Sequence, residues 1–164
     1  MKKIILIFVT LLLYTNLSSQ TTTIYLFRHA EKETHNPKDR NPNLNMERQK
    51  RAARLNHMFK NKKVNALFST AYNRTEQTIT PLAETHQLPI QKYDPKKLKE
   101  LASTIIQQYS GQNTIVVGHS NTLFPLAKEF GVPNADQEIS ESDYNTYLVI
   151  KLKRNKATLS IKQY

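Results

Sequence analysis

Residues 114–118, Thr-Ile-Val-Val-Gly, constrain the fold more than any other stretch of the chain. The run is short, β-branched and apolar on both faces that an extended strand presents. A strand of that kind is buried on both sides, which requires a parallel sheet covered by helices. The flanking sequence agrees. Residues 22–28 alternate β-branched and aromatic side chains and read as a strand; residues 64–69 read as a second and 88–93 as a short third. Helical patterns lie between them. One begins near Asn45, a good N-cap residue, and places Ala52, Leu55, Met58 and Phe59 on one face. Residues 71–86 form another, in which Pro81 predicts a kink or a break, because an interior proline costs about 3 kcal/mol. Asp94-Pro95 opens a third, with Asp as N-cap and Pro at the first helical position. Its stripe of Leu98, Leu101, Ala102, Ile105, Ile106 and Tyr109 ends at Gly111. A helix over residues 122–130 follows the apolar strand, and residues 147–152 and 158–161 form a terminal hairpin around Asn155. The expected fold is therefore α/β: a three-layer sandwich with a mostly parallel central sheet. The 164 residues fill one such domain and not two.

Two scarcities narrow the chemistry. The chain has no Cys, which removes disulfide frameworks, thiolate zinc sites, lipoprotein anchoring and cysteine-nucleophile phosphatases. It has three Gly (Gly111, Gly118 and Gly131), too few for a Walker-type loop or a G-x-G-x-x-G turn. The net charge of +11 favours an anionic partner. Residues 1–19 read as an export signal: Lys2 and Lys3, then an apolar run from Ile4 to Leu13 broken by Thr10, then the polar exit Asn16, Ser18 and Ser19. A membrane span needs about 20 apolar residues, roughly twice that run. Cleavage after Ser19 leaves residues 20–164 as the mature domain, without a stable membrane anchor. The expected location is periplasmic or secreted, in a bacterium.

In open α/β sheets, ligands gather at the carboxyl ends of strands. Arg28 and His29 close the first strand, Arg74 follows the second, and His119 closes the apolar one. Together they make a pocket for a tetrahedral dianion, since arginine matches phosphate oxygens with planar paired donors. A neutral imidazole is also a nucleophile towards phosphorus. Each residue alone has an ordinary reading: a strand-end charge, a solvated helix charge, a core histidine. Their order is less ordinary. Arg28-His29-Ala30-Glu31 resembles the R-H-G/A signature of the histidine phosphatase superfamily, which includes the phosphoglycerate mutases. Leu44-Asn45-x-x-Arg48 falls where that family reads L-T-x-x-G. Ser69-Thr70-x-x-x-Arg74-Thr75-x-Gln77-Thr78 and Val116-Val117-Gly118-His119-Ser120 follow in register, so the likeness covers residues 22–132.

The resemblance implies a phosphoglycerate mutase-like fold and a phosphohistidine mechanism that needs neither metal nor cofactor. His29 attacks phosphorus in line, and Arg28, Arg74 and His119 hold the phosphoryl oxygens, with Ser69 and Ser120 as further binding residues. Water then hydrolyses the phosphoenzyme. The acid that protonates the leaving alcohol is less defined. Family members with a Glu donor carry it after the second arginine motif, where this chain has Asp94 and Glu100, neither in the family's L-x-E pattern. Glu31 is a third candidate. In the branch with Asp directly after the second histidine, that slot is Ser120, and some compact members have no dedicated donor. Asp94 also reads as a helix cap, Glu31 as an ion-pair partner, and Ser69 as a cap for the helix before Arg74. His35, His57 and His86 lack partners at metal-ligand spacing and read as structural or solvated.

Rival functions fare worse. Gly118-His119-Ser120-Asn121-Thr122 half-matches a nucleophile elbow, but such hydrolases carry their histidine downstream of the serine and none follows here. A non-catalytic basic module for anionic ligands would use the scattered Lys and Arg, yet no nucleic-acid-binding signature accompanies them, and nucleic acid is not the expected partner. A mutase or a phosphohistidine-protein phosphatase needs cytosolic partners, which export opposes. The expectation is a small exported phosphomonoesterase acting on a small phosphorylated metabolite or an envelope phosphate. Residues 32–43 and 133–144 are its expected pocket walls, the second carrying the acidic group Asp136, Glu138, Glu141 and Asp143.

Overall fold

The computed structural model of the chain describes residues 20–30, 41, 46–154 and 156–164, with the backbone alone for 46–48. The expected leader, Asn45, Asn155 and most of the wall at residues 32–43 lie outside the described residues. Six strands and four helices are described: β1 (Thr22–Arg28), α1 (Met46–Phe59), β2 (Ala66–Thr70), α2 (Asn73–His86), β3 (Ile90–Tyr93), α3 (Leu98–Gln108), β4 (Asn113–Gly118), α4 (Ser120–Glu129), β5 (Thr146–Lys153) and β6 (Lys156–Gln163).

The strands form one sheet in the order β3-β2-β4-β1-β5-β6. β3, β2, β4 and β1 run parallel, and β5 and β6 add an antiparallel hairpin at the β1 edge. The strand period of two sorts the core into halves. Leu26, Phe68, Val116 and Ile150 face Leu101 and Ile105 of α3 and Leu123 and Leu126 of α4. Phe27, Leu67, Ile115 and Val117 face Leu55 and Phe59 of α1 and Ile79 and Leu82 of α2. Each large side chain so buried stabilises the fold by about 1.5–3 kcal/mol. The result is the three-layer sandwich expected from the run at residues 114–118, now seen at the centre of the sheet.

Three local expectations are corrected. Asp94-Pro95 does not open α3. Asp94 Oδ1 accepts the Lys96 N–H at 2.9 Å and its carbonyl accepts the Lys97 N–H at 2.9 Å, closing a turn before α3 starts at Leu98. Asp followed by Pro serves a turn as well as a helix start, because the same side-chain acceptor and fixed φ suit both. The helix after β4 begins at Ser120, two residues early, with His119 in the N-cap position. Of the kink or break expected at Pro81, the break is absent, since α2 runs through it. Ile79 and Leu82, both fully buried, hold it against the sheet on either side of the proline, so packing outweighs the lost hydrogen bond.

One topological fact positions the site. β1 and β4 are adjacent and parallel, yet β1 leads to α1 on one face and β4 leads directly to α4 on the other. The chain diverges between their carboxyl ends, and a crevice opens there.

Candidate active site

Register brings the two histidines together. Arg28 pairs with Gly118 at the last rung between β1 and β4. The ladder then gives one more bond, from His29 N–H to the Gly118 carbonyl at 3.0 Å. His29 and His119 thus leave the sheet side by side, with ring centroids 5.3 Å apart. Glycine keeps that rung open, because a Cβ at Gly118 would stand 2.6 Å from the Tyr93 hydroxyl oxygen and push Tyr93 or the strand aside. The turn after β1 is pinned to α2 by the Ala30 N–H, which donates to Thr78 Oγ1 at 2.9 Å.

His29 is buried, 6% exposed, at the cleft floor. Its Nδ1 lies 2.5 Å from the Ala30 carbonyl. A carbonyl only accepts, so Nδ1 carries the proton and the lone pair belongs to Nε2. Burial lowers the His29 pKa to about 3 against the Ala30 bond, which raises it; His119, Arg74 and Arg28 lower it further. His119 is lowered to about 4 by burial, Arg74 and Arg28, while Glu141 raises it. Both rings are neutral near pH 7. His119 Nε2 meets Thr70 Oγ1 at 3.0 Å, and its Nδ1 faces Arg74 NH2 at 3.5 Å. With arginine as the donor, Nδ1 accepts and Nε2–H donates to Thr70.

The cations come from three elements. Arg28, at the end of β1, is 3% exposed and lies over the Tyr144 ring at 3.9 Å. Arg74, in the first turn of α2, lies over Tyr72 at 4.4 Å. The Nε–H of each arginine is buried and has no acceptor among the described residues. Ser120, Asn121 and Thr122, the first residues of α4, line the same cleft, so the positive end of that helix adds to the field. The cleft has a volume of about 520 Å³, with Lys96 and Tyr144 on its wall. Among the described residues, no group of three or more His, Asp or Glu could hold a metal ion; the donor set suits an anion.

Arg28, His29, Arg74, His119 and Ser120 all line this cleft. Three other expected residues do not. Ser69 is fully buried and its hydroxyl donates to the Thr70 carbonyl at 2.9 Å, so it neither caps the next helix nor faces the cleft; Thr70, one pleat on, is the hydroxyl that meets His119. Asp94 is exposed in its turn, and Glu100 is exposed on α3 and paired with Lys97 at 3.1 Å. Glu31 lies outside the described residues. The sequence reading put Glu141 on an acidic pocket wall, where it does lie, but gave it no part among the candidate acids. It lies on the loop between α4 and β5, accepts from Arg28 NH2 at 2.7 Å on Oε2, and takes the Ser120 hydroxyl on Oε1. Its one signal was the acidic wall at residues 133–144.

The sequence pattern of the histidine phosphatase superfamily (branch 1) matches residues 24–102. Among solved structures, the chain is similar to the protein histidine phosphatase SixA complexed with tungstate, at 12% identity, covering 86% of this chain and 96% of that one, with a TM-score of 0.69. It is similar to the alpha-ribazole phosphatase from Shigella flexneri, at 13% identity over 87% and 96% of the two chains, with a TM-score of 0.68. The phosphoglycerate mutase from Bacillus anthracis is also similar, at 11% identity over 88% and 94%, with a TM-score of 0.65. At such identities the likeness is one of fold. No curated protein matches the sequence.

Proposed function

We propose that this chain, which belongs to the histidine phosphatase superfamily, is a metal-independent phosphomonoesterase that works through a phosphohistidine at His29. One observation carries the proposal. His29 is a buried, neutral imidazole whose Nδ1–H is fixed on the Ala30 carbonyl, leaving the Nε2 lone pair among Arg28, Arg74 and His119. A neutral nitrogen is what attack on phosphorus needs, and fixed cations stabilise charge as it builds on the phosphoryl oxygens.

In the first step Nε2 bonds to phosphorus as the ester P–O bond breaks, and the electron pair leaves on the alcohol oxygen, which takes a proton. In the second, water attacks phosphorus, the P–N bond breaks, and orthophosphate leaves with His29 regenerated. Arg28, Arg74 and the α4 N-terminus face the phosphoryl oxygens in both steps, and His119, with its Nδ1 towards Arg74, positions that arginine. The substrate class is a small phosphomonoester. Residues 1–19 direct export and are removed after Ser19, which places the substrate outside the cytosol and favours hydrolysis over mutase transfer.

Hydrolysis of p-nitrophenyl phosphate in the presence of EDTA, beside the His29→Ala variant, tests this. Release of p-nitrophenol that survives EDTA and vanishes with His29 is expected. Turnover retained in His29→Ala removes the covalent route, and loss of turnover with EDTA removes the metal-independent one.

A further inference from the structure

We infer that Glu141, on the loop between α4 and β5, is the general acid that protonates the leaving oxygen; the inference rests on the phosphomonoesterase reading. Three observations converge on it.

The first is position. Among the described residues, Glu141 supplies the one carboxylate that lines the cleft. His29 lies buried at the floor, whereas the Glu141 side chain is 81% exposed at the mouth. In-line attack from the floor drives the leaving oxygen out on the opposite side, towards the mouth. The second is anchorage. Arg28 NH1 donates to the carbonyls of Ser140, Glu141 and Asp143 at 3.1, 2.8 and 3.1 Å, so the arginine that takes the phosphoryl group also fixes the acid's backbone. Ser120, the residue directly after His119, donates its hydroxyl to the carboxylate. It carries no acid but holds one, and is a positioning residue.

The third is the supply of the proton. Without substrate, the carboxylate sits on Arg28 NH2 at 2.7 Å. A phosphoryl dianion arriving on Arg28 places a second negative charge beside it. Of the other described groups around the cleft that holds Glu141, Lys96 and Arg74 are cationic and oppose proton uptake, while His119 is neutral. Arg28 and Arg74 are shared with the incoming dianion, and two anions competing for the same cations push one carboxyl towards its protonated form. Glu141 then holds a proton when an alcohol oxygen needs one. On P–O cleavage that proton passes to the leaving oxygen, and the carboxylate so formed takes a proton from the attacking water in the second step.

The test is leaving-group dependence in the full chain. p-Nitrophenolate departs without protonation, whereas an alkoxide such as that from β-glycerophosphate does not. For Glu141→Gln, kcat on β-glycerophosphate is expected to fall at least about 10²-fold further than kcat on p-nitrophenyl phosphate, the scale of a lost general acid. Ser120→Ala is expected to show a smaller loss with the same bias, in kcat rather than KM. Equal losses on both substrates would make Glu141 structural, and a lower KM on both without the bias would make it an occluding carboxylate; either overturns the inference. An unsubstituted protein that hydrolyses only p-nitrophenyl phosphate has no working donor, which overturns it too. If the unsubstituted protein hydrolyses neither ester, the phosphomonoesterase reading fails first.

Discussion

The hydrogen bond from His29 Nδ1 to the Ala30 carbonyl decides which nitrogen keeps its lone pair for the proposed attack on phosphorus, and burial keeps that nitrogen uncharged. The same burial keeps His119 neutral in a field set by Arg74 and Arg28. An NMR titration of the free protein should therefore find both imidazoles neutral at about pH 5, well below the usual histidine midpoint. A midpoint near 6.5 for either ring would mean that the cleft is wetter and less cationic than described. The linked effect on stability has a definite sign. Unfolded histidines take up protons near about 6.5, while the folded pair waits until about 3 and about 4. The unfolded state then holds more protons in that window, so stability falls as pH falls through it. Arg28, His29, Arg74 and His119 were legible in sequence because each sits at or just past the end of a strand or in the first turn of a helix, where local pattern fixes position. Glu141 was legible as part of an acidic wall but its pairing with Arg28 was not, because the two meet across a separation of 113 residues and only the closed fold makes the pair. Ser69 was mistaken for Thr70 by one step of a strand, which turns a side chain to the other face.

At the scale of elements, the junction of β4 and α4 concentrates the demands on the fold. Gly118 pairs with Arg28, accepts the His29 N–H, and lies under the Tyr93 hydroxyl. Gly118→Ala must push Tyr93 or the strand aside, and overpacking of this kind costs about 1–3 kcal/mol. A matching fall in the denaturation midpoint is expected, together with lower turnover, because His119 follows directly. Unchanged stability would show that Tyr93 yields freely. This strand was legible from its apolar run alone, and the stripe on α3 likewise. The start of α3 was not, since Asp94 and Pro95 satisfy a turn with the same groups that would cap a helix. Nor was the continuity of α2, because Pro81 reports a local cost while Ile79 and Leu82 report a larger tertiary gain.

For the whole molecule, the sheet order explains why residues scattered from 28 to 144 form one site. The chain parts between β1 and β4, and every carboxyl end nearby delivers a side chain or a helix terminus to the same crevice. The +11 net charge pointed to an anionic partner, and the cleft focuses part of that charge through Arg28, Arg74 and Lys96. The most direct test of the central claim is rapid quenching of the full chain during turnover of a radiolabelled phosphomonoester, with mapping of the label. A phosphoryl group on His29 that is labile in acid, stable in alkali and discharged by water at the rate of turnover is the predicted result. Steady turnover with no label on His29 would contradict it.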